Sequence, residues 1–304
     1  MAIEPRASAE RRHRGTIHVE DAKILEHTAY AGNQYVLRAA APAAAASATP
    51  GSFAHLTCDP SVPMRRPLSI MRAARSAGWL EFLYKPVGAG LAELARRRTG
   101  ETLSIMAPIG RGFALDPARP HVLAIGGGVG IPPMFFLAEE LRGRRELAPI
   151  VLMGSEVPFP FELAPSALNV GARIPGASHA LRLLEDWGIP SRLASNAALP
   201  GAYRGSVTAL AELLLRERFA QTLDRVQVVA CGPEAMLRAA ARLAADAGIP
   251  CQVALEEFMA CGVGGCAGCT VRVRTPEGEA MQRVCVDGPV FDAATVVGLS
   301  AARP

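Results

Sequence analysis

Four of the seven cysteines, Cys261, Cys266, Cys269 and Cys285, share one short segment with the spacing C-x4-C-x2-C-x15-C. Four thiolates at that spacing are the ligand set of a plant-type [2Fe–2S] cluster. A compact loop that supplies three of them must wrap closely around the group. Gly262, Gly264, Gly265 and Gly268 allow this, because glycine accepts positive φ and lets backbone N–H groups approach sulfur. The fourth thiolate is expected to arrive from the following strand. A structural zinc site is the alternative, but such sites present short Cys pairs or Cys with His. The nearest histidine in sequence is His179, which also removes a Rieske arrangement. Cys58 and Cys251 read as small core residues.

Two further groups of residues suit nucleotides. Arg66-Pro67-Leu68-Ser69 combines an arginine able to grip a pyrophosphate with a hydroxyl able to bond a flavin ring edge. Leu83-Tyr84-Lys85, followed by Gly88 and Gly90, offers an aromatic ring, a cation and glycine amides on the next strand and turn. The run Ile125 to Gly130 follows a strand and opens a helix, so Gly127, Gly128 and Gly130 are expected to form a phosphate-binding turn or a tight structural one. Cys231-Gly232-Pro233 ends a later parallel strand, where ligands collect; Cys231 either borders a nicotinamide ring or is a buried thiol. Glu156, just past the strand PIVLMG, could bond ribose hydroxyls and repel a 2′-phosphate. It could equally face solvent, and Arg192 or Arg204 could fold back to supply a cation.

Elements must hold these groups in place. Residues 1–14 read as a disordered tail. GTIHVED, NQYVLRA, FAHLTC, WLEFLYK and LSIMAP read as strands of a small antiparallel barrel over 15–118. The alanine-rich stretch Ala39 to Thr49 contains Pro42 and is expected to be an extended hairpin connection. Over 119–248 strands and helices alternate, which predicts a parallel sheet with crossover helices. Residues 249–304 form a small glycine- and cysteine-rich unit, its strands TVRVRT and RVCVDG expected to flank a turn at Pro276, Glu277 and Gly278. The fold class is thus multidomain, β followed by α/β.

Composition narrows the function. The net charge is +4, and 30 of the 32 basic residues are arginines scattered along the chain. With no nucleic-acid-binding motif, this excludes a nucleic-acid partner. No apolar run reaches the ~20 residues of a spanning helix. An odd cysteine count without a signal-like start argues against a disulfide framework and for a cytoplasmic protein.

In this order, the segments make the chain resemble the electron-transfer subunits of NAD-dependent dihydroorotate dehydrogenase, in the ferredoxin-reductase superfamily. The resemblance runs over about residues 15 to 292, most specifically at LEEFMACGVGGCAGC and RVCVDGPVF. It implies that Arg66 to Ser69, Leu83 to Lys85 and the Gly90-Leu91 turn bind FAD, and that the four cysteines bind the [2Fe–2S] cluster. It further implies a catalytic partner that oxidises dihydroorotate on its own FMN, in a heterotetramer serving pyrimidine biosynthesis. Electrons would pass through the cluster to FAD and leave as hydride to NAD+, with no acid–base residue and no orotate site on this chain. Leu91 stands where the family usually has threonine, and Phe258 where it usually has arginine. The stretch Pro158 to Leu183 is longer than usual. Related reductase subunits of hydrogenase, sulfite reductase or ferredoxin–NADP oxidoreductase complexes remain the nearest alternative. They differ by aspartate in the place of Cys261 or lysine in the place of Ala260. A zinc-holding interaction module is a second alternative.

Overall fold

The structure is a computed structural model, and it describes residues 16–299. The tail expected at 1–14 lies outside them. Six strands close an antiparallel barrel in the order β1-β2-β5-β4-β3-β6. They are β1 (His18–Tyr30), β2 (Gln34–Ala40), β3 (Phe53–Leu56), β4 (Arg66–Ala74), β5 (Trp79–Tyr84) and β6 (Thr102–Ile109). The long strand β1 closes the barrel by pairing with β6 through its first half and with β2 through its second, with an irregularity between Ile24 and Glu26. Ile24, Leu37, Leu56, Ile70, Leu80, Phe82 and Ile105 fill the interior.

Two barrel connections differ from expectation. Ala39 to Thr49 is not extended: after β2 it forms helix α1 (Pro42–Ser47). Pro42 sits in its first turn, where the missing N–H costs nothing. The amides of Ala43 and Ala44 donate to the Glu20 carboxylate on β1 at 3.1 and 2.9 Å. That long-range cap is what local reading of an alanine-rich stretch misses. The turn expected after Lys85 is likewise a helix, α2 (Gly88–Leu94). Moreover, Arg66 to Ser69 begin β4, a sixth barrel strand beyond the five read from the sequence.

Beyond the barrel lie β7 (His121–Gly127), α3 (Ile131–Leu141), β8 (Ala148–Gly154), β9 (Leu163–Pro165), β10 (His179–Leu181), α4 (Arg182–Asp186), β11 (Ser191–Ser195), β12 (Tyr203–Arg204), α5 (Val207–Arg218), β13 (Val226–Cys231), α6 (Glu234–Ala247) and β14 (Cys251–Ala254). Then come β15 (Thr270–Thr275), β16 (Gly278–Arg283) and β17 (Val290–Asp292). The sheet runs β12-β11-β8-β7-β13-β14-β17, parallel except for β17. The chain winds outward from β7 through β8, then returns to place β13 on the other side of β7. The adjacent carboxyl ends of β7 and β13 therefore form a topological switch point, where such sheets leave a crevice. Helices α5 and α6 cover one face and α3 the other. β15 and β16 make the C-terminal hairpin, but RVCVDG is mostly turn: β16 ends at Arg283, and Cys285 sits in the turn after it.

Helix α3 also docks the barrel. Phe136 leaves the sheet face and is fully buried among the barrel's own core residues. Two ion pairs accompany it, Arg72–Glu139 at 2.8 Å and Arg75–Glu140 at 2.5 Å, but both are partly exposed. Pairs of that kind contribute roughly 0–1 kcal/mol, whereas removing a buried phenylalanine costs about 3–5 kcal/mol. The apolar plug therefore dominates. Phe136→Ala is expected to lower the urea midpoint by an amount equivalent to about 3–5 kcal/mol, followed by circular dichroism. Glu139→Ala should change it by less than about 1 kcal/mol, and equal losses would refute this ranking.

Candidate functional site

A cavity of about 1040 Å³ opens where barrel, sheet and cysteine loop meet. Arg66, Pro67, Leu68 and Ser69 wall it from the start of β4, Leu83 to Lys85 from the end of β5, and Gly88 and Leu91 from α2. Val129 and Cys231 reach it from the switch point, and residues 254–260 with Gly268 close the far side.

The Arg66 guanidinium lies against α2. A side-chain carbon added at Gly90 would stand 2.7 Å from its Nε, so only glycine lets the cation settle there. Arg66 Nη1 donates to the Met64 and Arg65 carbonyls, which anchors one edge of the fork. Tyr84 differs from expectation. Its ring is buried in the barrel, stacked on Tyr35 at 5.5 Å, and its hydroxyl pairs with His27 Nε2 at 2.9 Å. Burial pushes the phenol well above its ordinary pKa, so Tyr84 offers a ligand its backbone rather than its ring.

At the switch point Gly126 registers with Cys231. Gly128 has φ +56° and opens the turn into α3. A side chain at Gly127 would stand 2.5 Å from Met236 Sδ, and one at Gly130 2.4 Å from the backbone of Cys231 and Gly232. These glycines therefore serve close packing. The Cys231 thiol is buried and its pKa is raised far above the usual thiol range, by desolvation and then by nearby Glu256. Glu256, which sequence reasoning passed over, lines the cavity, and the protein walls around it raise its carboxyl pKa. Phe258 beside it is 93% exposed.

The adenosine-side residues are engaged differently from expectation. Glu156 is exposed, as the solvent-facing alternative expects, but not free: its carboxylate accepts from Asn196 Nδ2 at 2.9 Å and the Ala197 amide at 3.1 Å. Arg192 is tied down, donating to Ser166 Oγ and the Leu168 carbonyl at 2.7 and 2.8 Å. Glu185 accepts from the same Ser166 hydroxyl and from two amides. This network fastens the long Pro158 to Leu183 stretch, whose β9 and β10 pair as a hairpin. Arg204, at the sheet edge opposite Ser195, is exposed.

The four cysteines lie behind the loop whose Ala260 and Gly268 line the cavity, as two adjacent pairs. Cys269 and Cys285 stand 3.3 Å apart, Sγ to Sγ. Cys261 bonds the side chain of Cys266. Among the described residues no three His, Cys, Asp or Glu side chains converge on one point. Two thiol pairs fit two irons better than they fit a single ion. Backbone donors point at the sulfurs as well: Val263 N–H to Cys261 and Gly268 N–H to Cys266, both at 3.4 Å. Burial opposes ionisation of Cys261, but donors from Val263, Cys266 and Gly265 outweigh it and bring the thiol down to about 7. Asp287 clamps the Cys285 turn by accepting from the Arg283 amide at 2.8 Å, and Arg283 Nη1 reaches the Gly264 carbonyl at 3.1 Å. Gly262 and Gly264 take φ of +68° and +80°. Under the loop lies His55 of β3, wholly buried, with burial and then Arg65 bringing its pKa down to about 4.

Residues 256–297 match the family described as the iron–sulfur cluster binding domain of dihydroorotate dehydrogenase B. Over 92% of its length the chain is 30% identical to the dihydroorotate dehydrogenase B (NAD(+)) electron transfer subunit of Desulforamulus reducens, covering 98% of that protein. It is 32% identical to the namesake from a Geobacillus species, over 91% of this chain and 98% of that one. Among solved structures, the NADH-dependent reduced ferredoxin–NADP oxidoreductase superposes with a TM-score of 0.72 at 22% identity, over 91% of this chain and 90% of the other. The ferredoxin reductase of carbazole 1,9a-dioxygenase follows at 0.59 and 20%, over 77% of this chain and 67% of the other. The fold is therefore that of the ferredoxin reductases.

Thiolates, not thiols, react with alkylating agents. In folded protein stripped of iron, iodoacetamide should label Cys261 with a rate that climbs as pH rises through about 7 and then levels off. Cys58 and Cys251, held up to about 11 and about 12 by burial, should stay unlabelled at pH 7.5. Peptide mapping by mass spectrometry checks this, and labelling of Cys251 on the same time scale would contradict it.

Proposed function

The chain belongs to the family of dihydroorotate dehydrogenase B (NAD(+)) electron transfer subunits, and we propose that it carries electrons from a dihydroorotate-oxidising partner to NAD+. The observation that carries this reading is the shared wall: Met259, Ala260 and Gly268 of the cysteine loop line the same cavity as Arg66 and Ser69. A dinucleotide in that cavity and a cluster in that loop would be neighbours. When bound, the [2Fe–2S] cluster relays single electrons and FAD pairs them for hydride transfer.

The chain's own residues hold and orient these groups. Cys261 and Cys266 would take one iron, Cys269 and Cys285 the other. Arg66 would meet the FAD pyrophosphate with the free edge of its guanidinium, a charge-assisted bond of about 1.5–3 kcal/mol. Ser69, Lys85 and the backbone from Leu83 to Tyr84 would border the ring system. Leu91 brings no hydroxyl, so the amides of α2 take a larger share of the contact. Gly127, Gly128, Gly130, Cys231 and Gly232 would shape the nicotinamide side of the crevice. NAD rather than NADP suits the surroundings of Glu156, where Arg192 is held away by Ser166 and Leu168.

Residues 15–118 are read as the flavin unit, 119–248 as the nicotinamide unit and 249–304 as the cluster unit, except that β14 (Cys251–Ala254) and β17 belong to the nicotinamide unit's sheet. The dihydroorotate site belongs to the FMN-containing partner, in a cytoplasmic heterotetramer. Among the described residues no helix is long and apolar enough to cross a membrane.

Cys285→Ser, like serine at the other three positions, is expected to abolish or weaken the electron paramagnetic resonance signal of the reduced cluster, while Cys58→Ser leaves it intact. A full signal in the Cys285 variant would sink the assignment of the fourth ligand. The function itself is tested by co-expression with a dihydroorotate-oxidising FMN subunit. The two should co-purify, and dihydroorotate should reduce NAD+ only when both are present. Efficient NAD+ reduction by the partner alone, or no complex, would overturn the proposal.

A further inference from the structure

His55 is the buried polar group that the reading above leaves unused. It is 0% exposed, and among the described residues neither Nδ1 nor Nε2 has a hydrogen bond of normal geometry, although the Arg65 backbone lies near enough to raise the ring's pKa. Buried polar atoms are nearly always satisfied, so an orphaned imidazole calls for an acceptor or donor that only a bound group supplies. Its surroundings say where that group lies. A side-chain carbon added at Gly262 would stand 2.8 Å from His55 Nδ1. The nitrogen-bearing edge of the ring therefore rests on the residue directly after Cys261. On β3, His55 pairs with Pro67 of β4, which lines the cavity, and with Met106 of β6. The ring thus stands between the wall of the dinucleotide cavity and the loop of cysteines.

The positive charges nearby do not satisfy it. Arg65 donates to the backbone carbonyl of His55 at 3.1 Å and to Ser104, not to the ring. Both ring nitrogens thus remain without a hydrogen bond of normal geometry among the described residues. An N–H on the ring edge that rests beside Cys261 would find a sulfur acceptor in a cluster held there.

We propose that His55 donates a hydrogen bond to a sulfur of the [2Fe–2S] group on the Cys261 side and thereby sets its reduction potential. Reduction adds negative charge to the cluster, and a donor to sulfur stabilises the reduced form more than the oxidised one. His55 is a positioning and tuning residue: it moves no proton and forms no bond to iron. The proposal rests on the four cysteines holding the cluster, and the two can fail separately.

The test uses the full-length protein with its cofactors. Iron content and the reduced-cluster resonance first establish that the cluster is present; their absence in the natural protein would sink the cluster assignment. His55→Leu should then keep the cluster but shift its potential to more negative values, by about tenfold in the reduction equilibrium, or about 59 mV for one electron. His55→Asn, whose amide N–H falls near the Nδ1 position, should restore most of the shift. An unchanged potential in a fully loaded Leu variant overturns the proposal. Should the variants fail to fold, the natural protein decides. With ¹⁵N-labelled histidine, pulsed electron paramagnetic resonance of the reduced cluster should detect a weakly coupled imidazole nitrogen. No such coupling would equally overturn it.

Discussion

Where Gly130 meets the Cys231–Gly232 peptide, one added carbon would lie 2.4 Å from three backbone atoms. That backbone-to-backbone contact seats the first turn of α3 on the carboxyl ends of β7 and β13, and so fixes the helix axis. Six residues further on, the same helix drives Phe136 into the barrel interior. The barrel's position over the crevice therefore follows from how closely two strands' ends can approach one turn. Opening the contact would tilt α3, and with it the β4 residues Arg66 and Ser69 that face the cavity.

Charge is handled by burial in the cores and by backbone donors in the cysteine loop. Cys58, Cys231 and Cys251 sit in apolar surroundings that hold them as thiols. Cys261 lies where glycine-rich backbone turns its N–H groups inward, and its thiol titrates near neutrality. Burial alone does not separate inert from ligating thiols, because Cys285 of the ligand set is itself pushed up to about 12 by burial and by its bond to Cys269. Ala267, at φ +52°, is the one non-glycine of the loop in the left-handed region, a cost that glycine neighbours keep from accumulating.

The sequence disclosed this division unevenly. Cysteine spacing is local and specific, and the hydrophobic rhythm of the α/β half identified its parallel strands and long helices. What escaped was set by contacts distant in the chain. Helix α1 depends on Glu20, more than twenty residues away, to satisfy its first amides. Tyr84 was legible as an aromatic beside a cation, yet strand alternation turned its ring into the barrel toward His27. Cys285 was expected on a strand because RVCVDG alternates, but Asp287 folds back on the Arg283 amide and ends the ladder there. His55 carried no signal at all: a lone histidine in FAHLTC gains meaning only from Gly262 packed on its ring.

The junction between barrel and α3 also separates geometry from stability. Glu81 is buried, bonded by Arg38 at 2.7 Å and approached by Arg72 at 4.0 Å, while Arg72 reaches on to Glu139 of α3. Desolvation nevertheless raises the Glu81 pKa above its ordinary value, so the cost of burying the carboxylate exceeds what its partners return. A network with that balance adds little net free energy, as buried ion pairs commonly do. What it adds is direction: Arg72 can satisfy both carboxylates only when β4 and α3 lie at one mutual offset. Phe136 supplies the stability of the docking and the arginine its register, and the register is what places Arg66, at the start of the same strand, over Gly90 at the cavity wall.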